Sequence, residues 1–134
     1  MGLREFAEHL AAKALAGRFE DIEALRLSLL EGLPPSEVAE RLGLSKHAVR
    51  GRVRRAVEEA GNHLLAARAL RRLYPRLLRV EHVFVRSARY AGYVCTLCGR
   101  YVGDKPHLHL YIVHRDLVES LTEELLRELN HRVG

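Results

Sequence analysis

Residues 31–56 read EGLPPSEVAERLGLSKHAVRGRVRRA, and the fold turns on this stretch. Pro34 and Pro35 suit the start of a helix, because proline in the first turn forfeits no needed hydrogen bond. That helix runs from about Pro35 to Leu42 and stops at Gly43, where glycine takes a left-handed turn at least cost. Ser45 is a good N-cap for the next helix, which reaches about Ala60 before the Gly61-Asn62 break. Two short helices that cross steeply need a small residue where their backbones approach, a glycine in the turn, and apolar side chains at fixed places inside. Ala39, Gly43 and the set Val38, Leu42, Leu44, Val49 and Val53 supply each of these.

Together these residues resemble region 4 of bacterial sigma factors and the LuxR-type output domains of response regulators. The shared pattern reads roughly Glu-Gly-Leu-x3-Glu-Ile-Ala-Glu-x-Leu-Gly-Ile-Ser-x2-Thr-Val-Lys-x-Arg-Leu-x-Arg-Ala. The likeness spans about residues 19–60. Arg52 stands where phage-repressor types bury an apolar residue, and Val53 supplies the core contact one position later, as in the sigma-like group. Ala48 departs from the usual threonine, and with nothing else matching a sigma factor in 134 residues, a complete one is not expected.

The resemblance implies a trihelical helix-turn-helix whose second helix lies in the major groove of double-stranded DNA. With Val49, Val53, Ala56 and Ala60 facing inward, the outward face is Lys46, His47, Arg50, Gly51 and Arg54. Lys46, His47 and Arg50 are assigned to base edges, since arginine pairs bidentately with guanine. Arg41, Arg52, Arg54 and Arg55 are assigned to phosphates. A trihelical unit that serves protein contacts is the alternative.

Charge is distributed in keeping with the first reading. Residues 1–40 carry four basic and eight acidic side chains, residues 41–79 eleven and two, and residues 80–134 seven of each. The positive potential is therefore concentrated around the helix-turn-helix, as expected of a segment that meets a polyanion, although a solvated basic face gives the same count. No run of 18 apolar residues and no apolar secretory core is present, so an intracellular, cytoplasmic protein without a membrane span is expected.

Working outward, Leu3–Ala16 has apolar residues at helical spacing and ends at Gly17. A second helix is expected over about Asp21–Glu31, with Phe19, Ile22, Leu25 and Leu29 on one face. Beyond Asn62 the pattern is again helical from His63 to Leu73, rich in arginine and interrupted by Pro75. After Val80 the texture changes to short strands punctuated by glycine. A last amphipathic helix is expected from about His107 to His131, with Val118, Leu121, Leu125 and Leu129 on one face. The reading is thus mainly α. It divides into a helical N-terminus with the helix-turn-helix (1–62), a basic connecting helix (63–79), and a small zinc-stabilised ββα module with a long C-terminal helix (80–134).

Both cysteines of the chain lie in YVCTLCGRYVGDKPHLHLYIVH, residues 93–114. Cys95-x2-Cys98-Gly is the geometry of a zinc knuckle, and His109-x4-His114 brings two imidazoles within reach of the same ion. The whole is similar to a Cys-Cys-His-His zinc finger of the ββα kind. Ten residues separate Cys98 from His109, fewer than the usual twelve or so, which requires a shortened hairpin or first helical turn. His107 is a competing ligand at a less common spacing, and a redox Cys-x2-Cys is the alternative for the thiols. At about 55 residues, a segment of this size benefits from a structural metal, so bound Zn2+ is the expected cofactor.

The residues between the histidines, Leu110, Tyr111, Ile112 and Val113, are apolar, which suits protein contact better than phosphate. The function expected is that of a sequence-specific DNA-binding transcriptional regulator, a homodimer on paired half-sites, with the zinc module serving stability, dimerisation or a protein partner. A protein-protein adaptor in a transcription or replication complex is the second class. An HNH-like nuclease is the third, and it is disfavoured because the expected Asp-His or His-His pair is missing and Asn130-His131 comes late, on what reads as a helix. No enzymatic activity is expected.

Overall fold

The computed structural model describes residues 2–130. The chain is mainly helical, with helices α1 (Leu3–Leu15), α2 (Phe19–Leu25), α3 (Pro35–Leu42), α4 (Lys46–Ala60) and α5 (His63–Leu77) preceding a small sheet. The sheet comprises β1 (Phe84–Arg86), β2 (Tyr93–Cys95) and β3 (Tyr101–Gly103), and helices α6 (Pro106–Val113) and α7 (Arg115–Asn130) follow. The strands lie antiparallel in the order β1-β2-β3, with Val85 opposite Val94 and Tyr93 opposite Gly103. The expected ββ pair is therefore β2 and β3, extended on one edge by β1.

The helix-turn-helix is built as its sequence dictates. Pro35 occupies the first turn of α3, and Gly43 closes it at φ 68°, a conformation that costs any residue with a Cβ. The Leu44 N–H donates to the Ala39 carbonyl at 3.0 Å across that turn. Ser45 then caps α4, its Oγ accepting from the Ala48 N–H at 3.0 Å. A small core of Ala24, Leu27, Val38, Ala39 and Val49 holds α2, α3 and α4 together, with Leu33, Leu42, Leu44 and Val53 against it.

A larger core joins everything else. Phe6, Leu10 and Ala14 of α1, Ala56 and Ala60 of α4, and Leu70, Leu73 and Leu77 of α5 share it with Phe84, Cys95 and Leu110, and with Val118 and Leu125 of α7. The three sequence segments thus meet in one apolar interior. The sheet is tied to α1 by backbone as well, the Val83 N–H donating to the Leu15 carbonyl at 2.8 Å.

Three helices differ from their sequence expectation. The second helix begins at Phe19, and its last turn, Arg26–Leu30, is widened, with Glu31 N–H reaching back five residues to the Arg26 carbonyl. α5 runs through Pro75 to Leu77 rather than stopping at Leu73. Proline removes one backbone donor there, but burial of Leu73 and Leu77 favours completing the turn. The C-terminal helix is two helices, broken at His114, whose φ of −119° and ψ of 38° lie outside the helical region. Its expected end at His131 lies outside the described residues.

Candidate nucleic-acid interface and metal centre

α4 presents one face to the core and one to solvent. Val49, Ala56 and Ala60 are buried, while Lys46, His47, Arg50, Arg54 and Arg55 are exposed. Arg41, at the end of α3, is exposed and pairs with Glu37 at 3.3 Å. Arg54 approaches Glu58 at 3.6 Å one turn along. Such solvated pairs contribute little and open readily to another partner. Gly51 lies in the middle of the exposed arc, about 200° around the helix from Val49, and a Cβ built on it would meet nothing within 4 Å.

Arg52 departs from its expected phosphate role. Three residues after Val49 it falls only about 60° from the buried stripe, and its side chain is 21% exposed. Its guanidinium donates to Asp21 of α2, which is 3% exposed. Lys13 and Arg18 donate to the same carboxylate, at 2.8 and 3.3 Å. Burial alone pushes the Asp21 carboxyl up, but the hydrogen bonds and charges of Lys13 and Arg52 outweigh it and hold the group below the usual carboxylate range. Asp21 was not among the expected site residues, although one signal marks it: an acid placed four residues before Leu25 on an apolar stripe.

In the C-terminal part of the chain the hairpin between β2 and β3 forms the knuckle. The Gly99 N–H donates to the Cys95 carbonyl at 2.8 Å, and Gly99 adopts φ 74°, a left-handed turn that directs both thiols to one side. Only Asp104 and Lys105 separate β3 from α6, so His109 enters in the first turn, which is how the short spacing from Cys98 is met. Cys98 Sγ lies 3.4 Å from His109 Nε2, and Cys95 Sγ lies 3.5 Å from His114 Nε2. These match the edge of about 3.6 Å that a tetrahedral ion with ordinary zinc–sulfur and zinc–nitrogen bonds would give. All four ligand atoms lie within 4.8 Å of one another.

The break at His114 is what makes the x4 spacing work. In an unbroken helix, residues five apart project about 140° from each other, so His109 and His114 would diverge. With the helix interrupted, the two rings stand 5.0 Å apart, edge to face. Burial, then His114 and Arg100, push the His109 imidazole below its ordinary range, toward the neutral form that binds metals. His107 is not in the cluster. It lines a recess with His9, Ala12 and Lys13 of α1 instead, where partial burial and then the charges of Arg18, Lys13 and Lys105 lower its basicity.

Around the centre, Leu97, Leu108, Ile112 and Val113 are exposed, Ile112 at 78%. Leu110, expected on this surface, is instead fully buried, because the residue that follows His109 by one turns α6 onto the core. Among the described residues no helix is long and apolar enough to cross a membrane.

Residues 21–59 match the family described as Sigma-70, region 4. That range begins at the buried Asp21 and closes one residue short of the end of α4, so it coincides with the helix-turn-helix and its own small core. No curated protein and no solved structure matches the chain.

Proposed function

We propose that this chain is a sequence-specific double-stranded DNA-binding protein that regulates transcription, with α4 in the major groove. The observation that carries the reading is the exposed basic face of α4, Lys46, His47, Arg50, Arg54 and Arg55, set on a segment similar to sigma region 4. Lys46, His47 and Arg50 stand at the N-terminal half of α4 and take base edges, while Arg41, Arg54 and Arg55 take phosphates. Arg52 is reserved for Asp21. The protein acts as a homodimer, since paired half-sites raise the affinity of a single helix-turn-helix.

Cys95, Cys98, His109 and His114 hold a structural Zn2+ in this reading. The donor set favours it, two thiolates and two imidazoles being a common zinc complement. A closed set of four ligands leaves no position for a substrate, so the ion fastens the knuckle to α6 and no catalysis is assigned to it. Selection of bound DNA from a random pool, with metal content measured on the same sample, tests the whole. A recovered palindrome whose affinity falls steeply with salt, on a protein holding one zinc per chain, is the expected outcome. A flat salt response would remove DNA binding.

An adaptor function is the second reading, favoured by the exposed Leu97, Leu108, Ile112 and Val113. Charge reversal at Arg50 and Arg54 separates the two, because a DNA reader loses its site while an adaptor keeps its partner. Plasmid incubated with magnesium or manganese should remain intact, in contrast to the behaviour of an HNH-like nuclease.

A further inference from the structure

Three cations surround one carboxylate where α1, α2 and α4 meet. Lys13 and Arg18 share one oxygen of Asp21, and Arg52 takes the other. Lys13, Arg18 and Arg52 make no other ion pair among the described residues. The group therefore carries a surplus of two positive charges around a buried acid. Buried or half-buried charge of one sign is costly unless something balances it.

Beside this group lies a cavity of about 220 Å³, lined by His9, Lys13, Arg18, His107 and Tyr111 together with Ala12 of α1 and Ala16 just past its end. Every polar side chain in that wall can donate a hydrogen bond, and among the described residues no carboxylate lines it, Glu59 standing behind His9. His9 Nδ1 lies 3.0 Å from Glu59, which leaves its other ring nitrogen for a second partner. Lys13 and Arg18 keep 26% and 37% of their side-chain surface exposed, so a small solute reaches them. The recess is smaller than the roughly 300–1,000 Å³ typical of drug-sized ligands, which restricts it to a compact molecule.

We propose that this cavity, at the seam of α1 and α6, binds a compact oxyanion of about two negative charges, such as a small phosphate ester or dicarboxylate. Its guanidinium and ammonium donors supply the charge-assisted bonds, and the neutral donors of the wall fix its orientation. The site is placed to act as an effector site. Asp21 contacts Lys13 and Arg18 on one side and Arg52 of α4 on the other, so an anion that draws on the first two changes how tightly Asp21 holds the third. This assignment does not depend on what α4 contacts.

Calorimetric titration of the full chain with inorganic phosphate and with succinate, at ionic strength held constant by chloride, tests it without DNA. Saturable one-to-one binding of at least one probe is expected, and which probe binds tighter identifies phosphate or carboxylate as the preferred head group. Arg18→Gln and, separately, Tyr111→Phe should each weaken that binding, the first by about tenfold or more. Circular dichroism on both variants verifies that they are folded, and metal content measured before and after titration excludes extraction of an ion. A response indistinguishable from chloride, or one that both variants leave unchanged, overturns the proposal. So does a finding that Arg18→Gln lowers the salt dependence of DNA binding while neither probe binds, which makes the recess a duplex phosphate contact.

Discussion

At the scale of the residue, Gly51 and Asp21 are the most instructive positions. Glycine in a helix interior costs about 1 kcal/mol relative to alanine, and no neighbour within the chain requires it at position 51. The space it leaves lies among His47, Arg54 and Arg55, on the face assigned to the major groove. Gly51→Ala should therefore raise the melting temperature while weakening DNA binding severalfold. Unchanged affinity would show that the duplex keeps its distance there. Arg50 and Arg55 separate two kinds of contact. Arg50→Ala should cost about 1–3 kcal/mol on the selected site and relax its sequence preference, whereas Arg55→Ala should weaken all sequences alike and reduce the salt slope by about one. Binding isotherms across a salt series read both.

Asp21 links sequence-distant elements, and its titration has a definite sign. Its folded pKa lies below its unfolded value, so the stabilisation it supplies is fully present above about pH 4 and is lost as pH falls through the folded pKa. Asp21→Asn leaves three cations around a neutral amide, and it should destabilise the fold at neutral pH by about 3 kcal/mol or more. Denaturant unfolding across pH 2–7 tests this, with the variant expected to lose part of the acid limb seen in the parent.

At the scale of the element, the interruption between α6 and α7 matters most. α7 is amphipathic in its own right and buries Val118, Leu121 and Leu125, so it needs no metal to be a helix in context. α6 is short, with Ile112 and Val113 exposed, and an isolated helix of this length is marginal. Removing a bound metal with a chelator should therefore loosen β2, β3 and α6 while leaving much of the helicity of α1, α5 and α7. Far-ultraviolet circular dichroism should report a modest loss and amide exchange a local one, confined to about residues 93–114. His114→Ala should mimic the chelator. Inserting one alanine after Val113 should do so too, because it rotates the second imidazole away.

At the scale of the whole molecule, the smaller core serves the helix-turn-helix and the larger one binds α1, α5, the sheet and α7 into its support. α1 and α7 pack along each other, and Arg76 pairs with Glu124 between α5 and α7. Destabilising the knuckle should thus reach α4 only indirectly, through α1 and through α7 and α5. A Cys98→Ser variant is expected to lower the melting temperature while keeping the DNA sequence preference, as binding-site selection on the variant would show. A changed preference would mean that the module itself touches DNA.

The helix-turn-helix was legible in the sequence because its signals are local: Pro35, Gly43 and Ser45 act within a few residues, and Val49, Ala56 and Ala60 repeat at helical spacing within α4. The group of Cys95, Cys98, His109 and His114, which could hold a metal ion, was legible for a similar reason, since its members lie within 20 positions of one another. The sequence by itself therefore determined the helical class, the exposed face of α4 and the donor set. Tertiary structure alone decided where Arg52, Leu110 and His107 point, because each choice depends on an element more than ten residues away. Arg52 turns to Asp21, Leu110 to the shared core, and His107 to α1. It also decided the break at His114, which lets the His114 ring meet His109 and Cys95 where an unbroken helix would carry it away.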